Sequence, residues 1–195
     1  MTFRQKLLQL IYPIFKLLSN NKNLAGKIIV NNNGIVPSVS FYSLSSILNN
    51  GEDFSFEKLK GKNVLIVNTA SDCGYTAQYD ELEKLYQQLK DKLIILAFPA
   101  NDFKNQEQSN DEAIAAFCKL NYGITFPLIQ KTKVVGNNSN EVFKWLSNEQ
   151  LNGWCNQQPI WNFSKYLINE KGVLTHFFGP AISPLTSTIL KSIQL

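Results

Sequence analysis

Cys73 stands at an abrupt change of pattern, inside the stretch NTASDCGYTAQY at residues 68–79. The apolar segment NVLIVNTA leads into it, and Tyr79, Leu82, Leu85, Tyr86 and Leu89 follow at helical spacing. A thiol where a buried strand hands over to a helix suits thiol–disulfide chemistry, because the free amides and dipole of a helix N-terminus stabilise a thiolate. Such chemistry often uses a second cysteine three residues on, a place held here by Thr76. The competing reading is a small buried hydrophobe, the common fate of a free cysteine. Position favours reactivity, since open α/β sheets bind ligands at strand ends.

Other chemistry is thinly represented. The cysteines are Cys73, Cys118 and Cys155, an odd count whose spacing gives neither a disulfide framework nor a zinc site. His176 is the single histidine, so a histidine-rich metal centre is excluded, and no metal or cofactor is expected. The formal charge of +4 comes without a dense Lys/Arg cluster. That leaves nucleic-acid binding without a footprint.

The elements that must position these thiols follow from periodicity. With 195 residues the chain is expected to form one well-buried domain. NVLIVNTA and LIILAFPA are continuous apolar runs of the kind buried on both faces of a parallel sheet. A helix over 77–90 joins them into a right-handed βαβ unit. Ahead of them, SVSFYSL and FSFEKL flank a turn at LNNGED and predict a β-hairpin. After them, Ser109–Glu112 has the form of a capping box, opening a helix that carries Ile114, Phe117 and Cys118 and ends near Gly123. A helix is predicted over 139–147. An antiparallel hairpin follows, from NFSKYLI and VLTHFFG around the turn NEKG, and then a helix from Pro184 to Ile193. This β-α-β, β-β-α order predicts a thioredoxin-like α/β fold, a central mixed sheet flanked by helices.

Residues 1–37 read as a separate segment. Phe3, Leu7, Leu10, Ile14 and Leu17 form one helical stripe, widened by Ile11 and Leu18. Arg4, Lys6, Gln9 and Lys16 make it too polar to span a bilayer. Its basic start resembles a signal peptide, but SNNKNLAG offers no cleavage site. Two readings remain: a helix packed on its own protein, or one lying on a membrane surface. Pro13 is expected to interrupt either. Residues 19–37 read as an Asn- and Lys-rich linker containing a short apolar piece, KIIV. The segment is expected to be dispensable for chemistry.

Four long motifs in order, NTASDCGYTAQYDELEKLY, FPANDFKNQE, FCKLNYGITFPL and WNFSKYLINEKG, make residues 38–195 resemble the glutathione peroxidase family. The resemblance implies a thiol peroxidase acting on hydrogen peroxide and organic hydroperoxides. Cys73 then corresponds to the peroxidatic residue, Gln106 to the family glutamine, and Trp161 and Asn162 to its tryptophan and asparagine. A thiolate attacking a peroxide needs donors for its own charge and for the departing oxygen, and amides and an indole supply them. Cys118 matches the resolving cysteine of thioredoxin-dependent members; its alternative is a core residue beside Ile114. Ala100 stands where many relatives have a cysteine, and Cys155 matches no family motif. The short connection between Trp145 and Trp161, without the long insertion of tetrameric relatives, implies a monomer or loose dimer. No arginine cluster is present to hold glutathione carboxylates, which leaves thioredoxin as the expected reductant and glutathione as the alternative. A redox sensor relaying oxidation through the same cysteines is the rival in another class. The expected compartment is the cytoplasm, with membrane contact through residues 1–18 as an option.

Overall fold

The computed structural model of the chain describes residues 1–19 and 24–194 and, for residues 15–19, 24 and 194, the backbone alone. The side chains of Leu17 and Leu18, and residues 20–23 of the expected linker, lie outside the described residues. Among the described residues, strands β1 (Ile28–Val30), β2 (Ser45–Ile47), β3 (Asp53–Ser55), β4 (Asn63–Thr69), β5 (Leu93–Pro99), β6 (Lys165–Ile168) and β7 (Leu174–Phe178) combine with six α-helices. These are α1 (Phe3–Ser19), α2 (Gln78–Leu89), α3 (Asp111–Tyr122), α4 (Glu141–Leu146), α5 (Glu149–Asn152) and α6 (Ser187–Gln194). The main sheet has the order β1-β7-β6-β4-β5, with β4 and β5 parallel and the other pairs antiparallel.

The unbroken apolar runs follow from burial on both faces. Leu65 and Val67 of β4 enter one core layer with Tyr79, Leu82, Ile114 and Ile189, while Val64 and Ile66 enter the other with Phe41, Phe143 and Trp145. Cys73 and Cys118 belong to the first layer and Cys155 to the second. Helix α2 returns the chain from β4 to β5, burying Tyr79, Leu82 and Leu85 along one face. The β6–β7 hairpin turns at the expected NEKG, where Gly172 takes φ of 78° and Asn169 bonds to Val173 across the turn. Only glycine adopts that left-handed conformation without strain.

Several local expectations change. The first hairpin is shorter than its pattern predicts, because Ser40 and Ser55 accept the amides of Tyr42 and Glu57 and wind Phe41–Ser43 and Phe56–Leu59 into single 3₁₀ turns. Short polar side chains compete with the ladder in this way. The two turns drop Phe41 and Phe56 into the core, 5.1 Å apart. Helix α3 is capped by Asn110, whose side chain accepts from Ala113 N at 3.0 Å, and not by Ser109. It ends as expected at Gly123, in the left-handed conformation.

The N-terminal segment departs furthest. Pro13 sits inside α1 without ending it. The helix does pack on its own protein, but with the face opposite the apolar stripe: Tyr12 is 7% exposed, whereas Phe3 is 84%, Leu7 50%, Leu10 78% and Ile14 58% exposed. The KIIV piece is a strand of the main sheet rather than part of a linker. Ile28, Ile29 and Val30 pair with Phe178, Phe177 and His176, and flanking bonds join Asn31 to Thr175 and Gly179 to Lys27. Deleting residues 1–37 is therefore expected to cost about 2–4 kcal/mol through lost backbone pairing and apolar cover. For a chain of this size that is roughly 5–15 °C in Tm. Deleting residues 1–19 alone, which leaves β1 in place, should cost much less, and thermal melts of the two truncations check the difference.

Candidate active site

Strand β4 ends at Thr69, and the chain then turns through Ala70, Ser71 and Asp72 to Cys73 before α2 begins at Gln78. Thr76 closes this turn. Its hydroxyl accepts from the Cys73 amide at 2.9 Å and lies 3.0 Å from the Ala70 carbonyl. In place of a second cysteine, the position three residues on holds the shape of the loop.

The Cys73 sulfur is fully buried and accepts the Tyr75 amide at 3.4 Å. The Trp161 and Asn162 side chains lie close enough to favour its anionic form. Burial pushes the thiol pKa up, these three groups pull it down, and the Asp72 carboxylate adds to the rise. The balance lies above the ordinary value. Regular α2 starts five residues beyond Cys73, outside the first-turn reach of its dipole.

Gln106 joins the group through Asn162, whose Nδ2 donates to Gln106 Oε1 at 2.9 Å. The Gln106 carbonyl in turn accepts from the Asp72 amide at 3.1 Å. The structure thus brings Cys73, Gln106, Trp161 and Asn162 together from three separate loops. Cys118 lies elsewhere. It is buried on α3 beside the Tyr79 hydroxyl, and burial pushes its thiol up to about 12. All three cysteines are free. Cys155 is buried on the far side of the sheet.

Three supporting residues escape a sequence reading. Glu107, fully buried, accepts from both the amide (2.8 Å) and the hydroxyl (2.7 Å) of Ser71, two residues before Cys73. Burial raises its pKa to about 7 against the pull of those bonds and of Lys131. Lys165, also fully buried, donates to the Phe163 carbonyl at 2.7 Å, and burial lowers its pKa to about 7. Asn68 grips the same loop, accepting from the Phe163 amide at 2.6 Å and donating to the Trp161 carbonyl at 3.1 Å. Among the described residues, the non-glycine positions with positive φ are Lys104, Asn105 and Phe163. Each lies within two residues of Gln106 or Asn162, and such strain persists only where surrounding bonds enforce it. The available signal was a lysine within an apolar strand, KYLI, and a glutamate next to a motif glutamine.

The glutathione peroxidase family model matches residues 41–147. This chain belongs to the glutathione peroxidase family. Glutathione peroxidase-like peroxiredoxin 2 of Saccharomyces cerevisiae is 44% identical over 148 residues, covering 75% of this chain and 91% of the relative. The crystal structure described as Trgpx in apo form superposes with a TM-score of 0.63 at 30% identity, covering 81% of this chain and 97% of that one. A thioredoxin family thiol:disulfide interchange protein from Chlorobium tepidum gives 0.56 at 14% identity, over 82% and 93% of the two chains, and shares the thioredoxin-like fold alone. The protein is a peroxide:thiol oxidoreductase of that fold. Helix α1 and strand β1 precede the residues matched by the family model. No helix among the described residues is long and apolar enough to cross a membrane.

Proposed function

We propose that this peroxidase reduces hydrogen peroxide and organic hydroperoxides at Cys73, with Gln106, Trp161 and Asn162 as its charge-stabilising partners and Cys118 as the resolving thiol. The observation that carries the reading is a buried sulfur that accepts the Tyr75 amide and has beside it the Trp161 and Asn162 side chains, each of which favours its anionic form. The Cys73 proton passes to the leaving oxygen as the thiolate attacks the distal peroxide oxygen. The O–O bond breaks, the S–O bond forms, and an alcohol or water departs. Donors fixed around the sulfur favour the anionic form as it develops, at no cost in reorganisation. The Cys118 thiol then displaces water from the Cys73 sulfenic acid, giving a disulfide that a thioredoxin dithiol reduces.

Thioredoxin is favoured over glutathione because Arg4 is the only arginine of the sequence, and it is ion-paired to Asp72 at 2.9 Å. The catalytic domain spans 38–195, with β1 lent to its sheet by the appended segment. The protein is a cytoplasmic monomer that meets a membrane surface through α1. Peroxide consumption measured in parallel with glutathione and with thioredoxin plus its reductase tests the donor; faster turnover with glutathione rejects it. Gln106→Ala and Asn162→Ala are each expected to slow Cys73 oxidation by about ten- to a thousandfold. Stopped-flow rates with peroxide check this, and unchanged second-order constants would remove both residues from the reaction.

A further inference from the structure

Helix α1 is two-faced, and its inner face is pinned beside the peroxidatic loop. Gln5 Nε2 donates to the Ser71 carbonyl at 3.2 Å, Arg4 pairs with Asp72, Tyr12 donates to Glu81 at 3.1 Å, and the Met1 amine reaches Asn121 at 3.5 Å. These contacts fix the rotation of the helix about its axis. At about 100° per residue, Phe3, Leu7, Leu10 and Ile14 fall within roughly 60° of arc, diametrically opposite Tyr12. All four are exposed, and Leu120, beside Asn121 on α3, is 82% exposed as well. A water-facing row of this kind is expensive unless something covers it.

Charge selects the cover. Helix α1 contains no acidic residue; Lys6 flanks the apolar row on one side, and Arg4, paired with Asp72 but still two-thirds exposed, lies beyond its other edge. An apolar stripe with Lys6 at its edge and no acid on its helix matches the headgroup boundary of an anionic bilayer, where apolar side chains enter the acyl region and lysines meet phosphates. We propose that the Phe3–Leu7–Leu10–Ile14 face of α1 docks on anionic phospholipid surfaces, holding the Ser71–Asp72 loop about one helix diameter, ~10 Å, from the bilayer. The inference rests on the membrane reading of α1 and names both the face and the lipid chemistry.

Flotation of the full chain with phosphatidylcholine vesicles, with and without phosphatidylglycerol, tests it. Binding is expected with phosphatidylglycerol, weakened at least tenfold by its omission or by high salt. Leu7→Asn with Leu10→Asn, and separately Phe3→Ser at the chain terminus, should each weaken binding severalfold or more. Their peroxide rate measured without vesicles should stay at wild type, which separates this proposal from the peroxidase reading. Absence of binding, equal binding by the variants, or binding indifferent to lipid charge would overturn it. So would a concentration-dependent dimer that Leu10→Asn dissolves, since a second copy would then cover the stripe.

Discussion

Cys73→Ser is expected to remove peroxide reduction, by roughly 10³-fold or more, the scale on which loss of a catalytic nucleophile acts. Sulfur attacks peroxide as a thiolate, whereas a serine hydroxyl stays protonated and weakly nucleophilic near neutral pH. The donors from Tyr75, Trp161 and Asn162 would remain, so the variant isolates the nucleophile from its surroundings. The fold should survive, because serine is slightly smaller and its oxygen can accept the Tyr75 amide that now meets sulfur. Burying the hydroxyl costs about 1–2 kcal/mol, a Tm shift of a few degrees. Peroxide-dependent oxidation of an added thiol, with a melting curve alongside, decides the matter; substantial turnover by a folded variant would remove Cys73 from the reaction.

Replacing Cys118 by serine is expected to leave the first oxidation intact and to stop thioredoxin-driven cycling. In the reduced fold the two thiols have different neighbours: Cys73 faces Tyr75, Trp161 and Asn162, while Cys118 faces Tyr79. A disulfide brings Cα atoms to within about 7 Å, so α3 is expected to open locally as the bond forms. The helix is twelve residues long, ends at Gly123, and exposes Leu120 in its last turn. Without Cys118 the sulfenic acid has no internal partner and should accumulate after one equivalent of peroxide, visible by mass as one added oxygen. Full thioredoxin-supported turnover in that variant, or a Cys73–Cys155 linkage in wild type, would refute the resolving assignment.

What the sequence makes legible here is what repeats or what carries chemistry. Strands β4 and β5 are readable because each is a long apolar run, and α2 because three buried residues recur along one face. Strand β1 is three residues long, too short for any period, and its identity as a strand depends on β7, almost 150 residues away. Asn110 and Ser109 are both competent caps, and only the backbone path chooses between them. The outward turn of the α1 stripe defeats the rule that apolar faces point inward, because Tyr12, Gln5 and Met1 form better partners on the other side. Glu107 and Lys165 stay hidden for a related reason. A charge in sequence reads as solvated, while here each is buried against backbone groups of the loops that aim Cys73 and Asn162.

Placing the third thiol on the opposite side of the main sheet has a chemical consequence. The sheet acts as a partition between two compartments of one molecule. Side chains on the two faces of a sheet point away from each other, which takes thiols on opposite faces out of reach of an S–S bond. If Cys73 is the peroxidatic thiol, its sulfenic acid is expected to be resolved by Cys118, the other thiol of its layer, and not by Cys155, whose own thiol burial pushes up to about 11. On that assignment the topology itself guards the pairing, and a cysteine at position 155 would not become a wrong exit from the redox cycle.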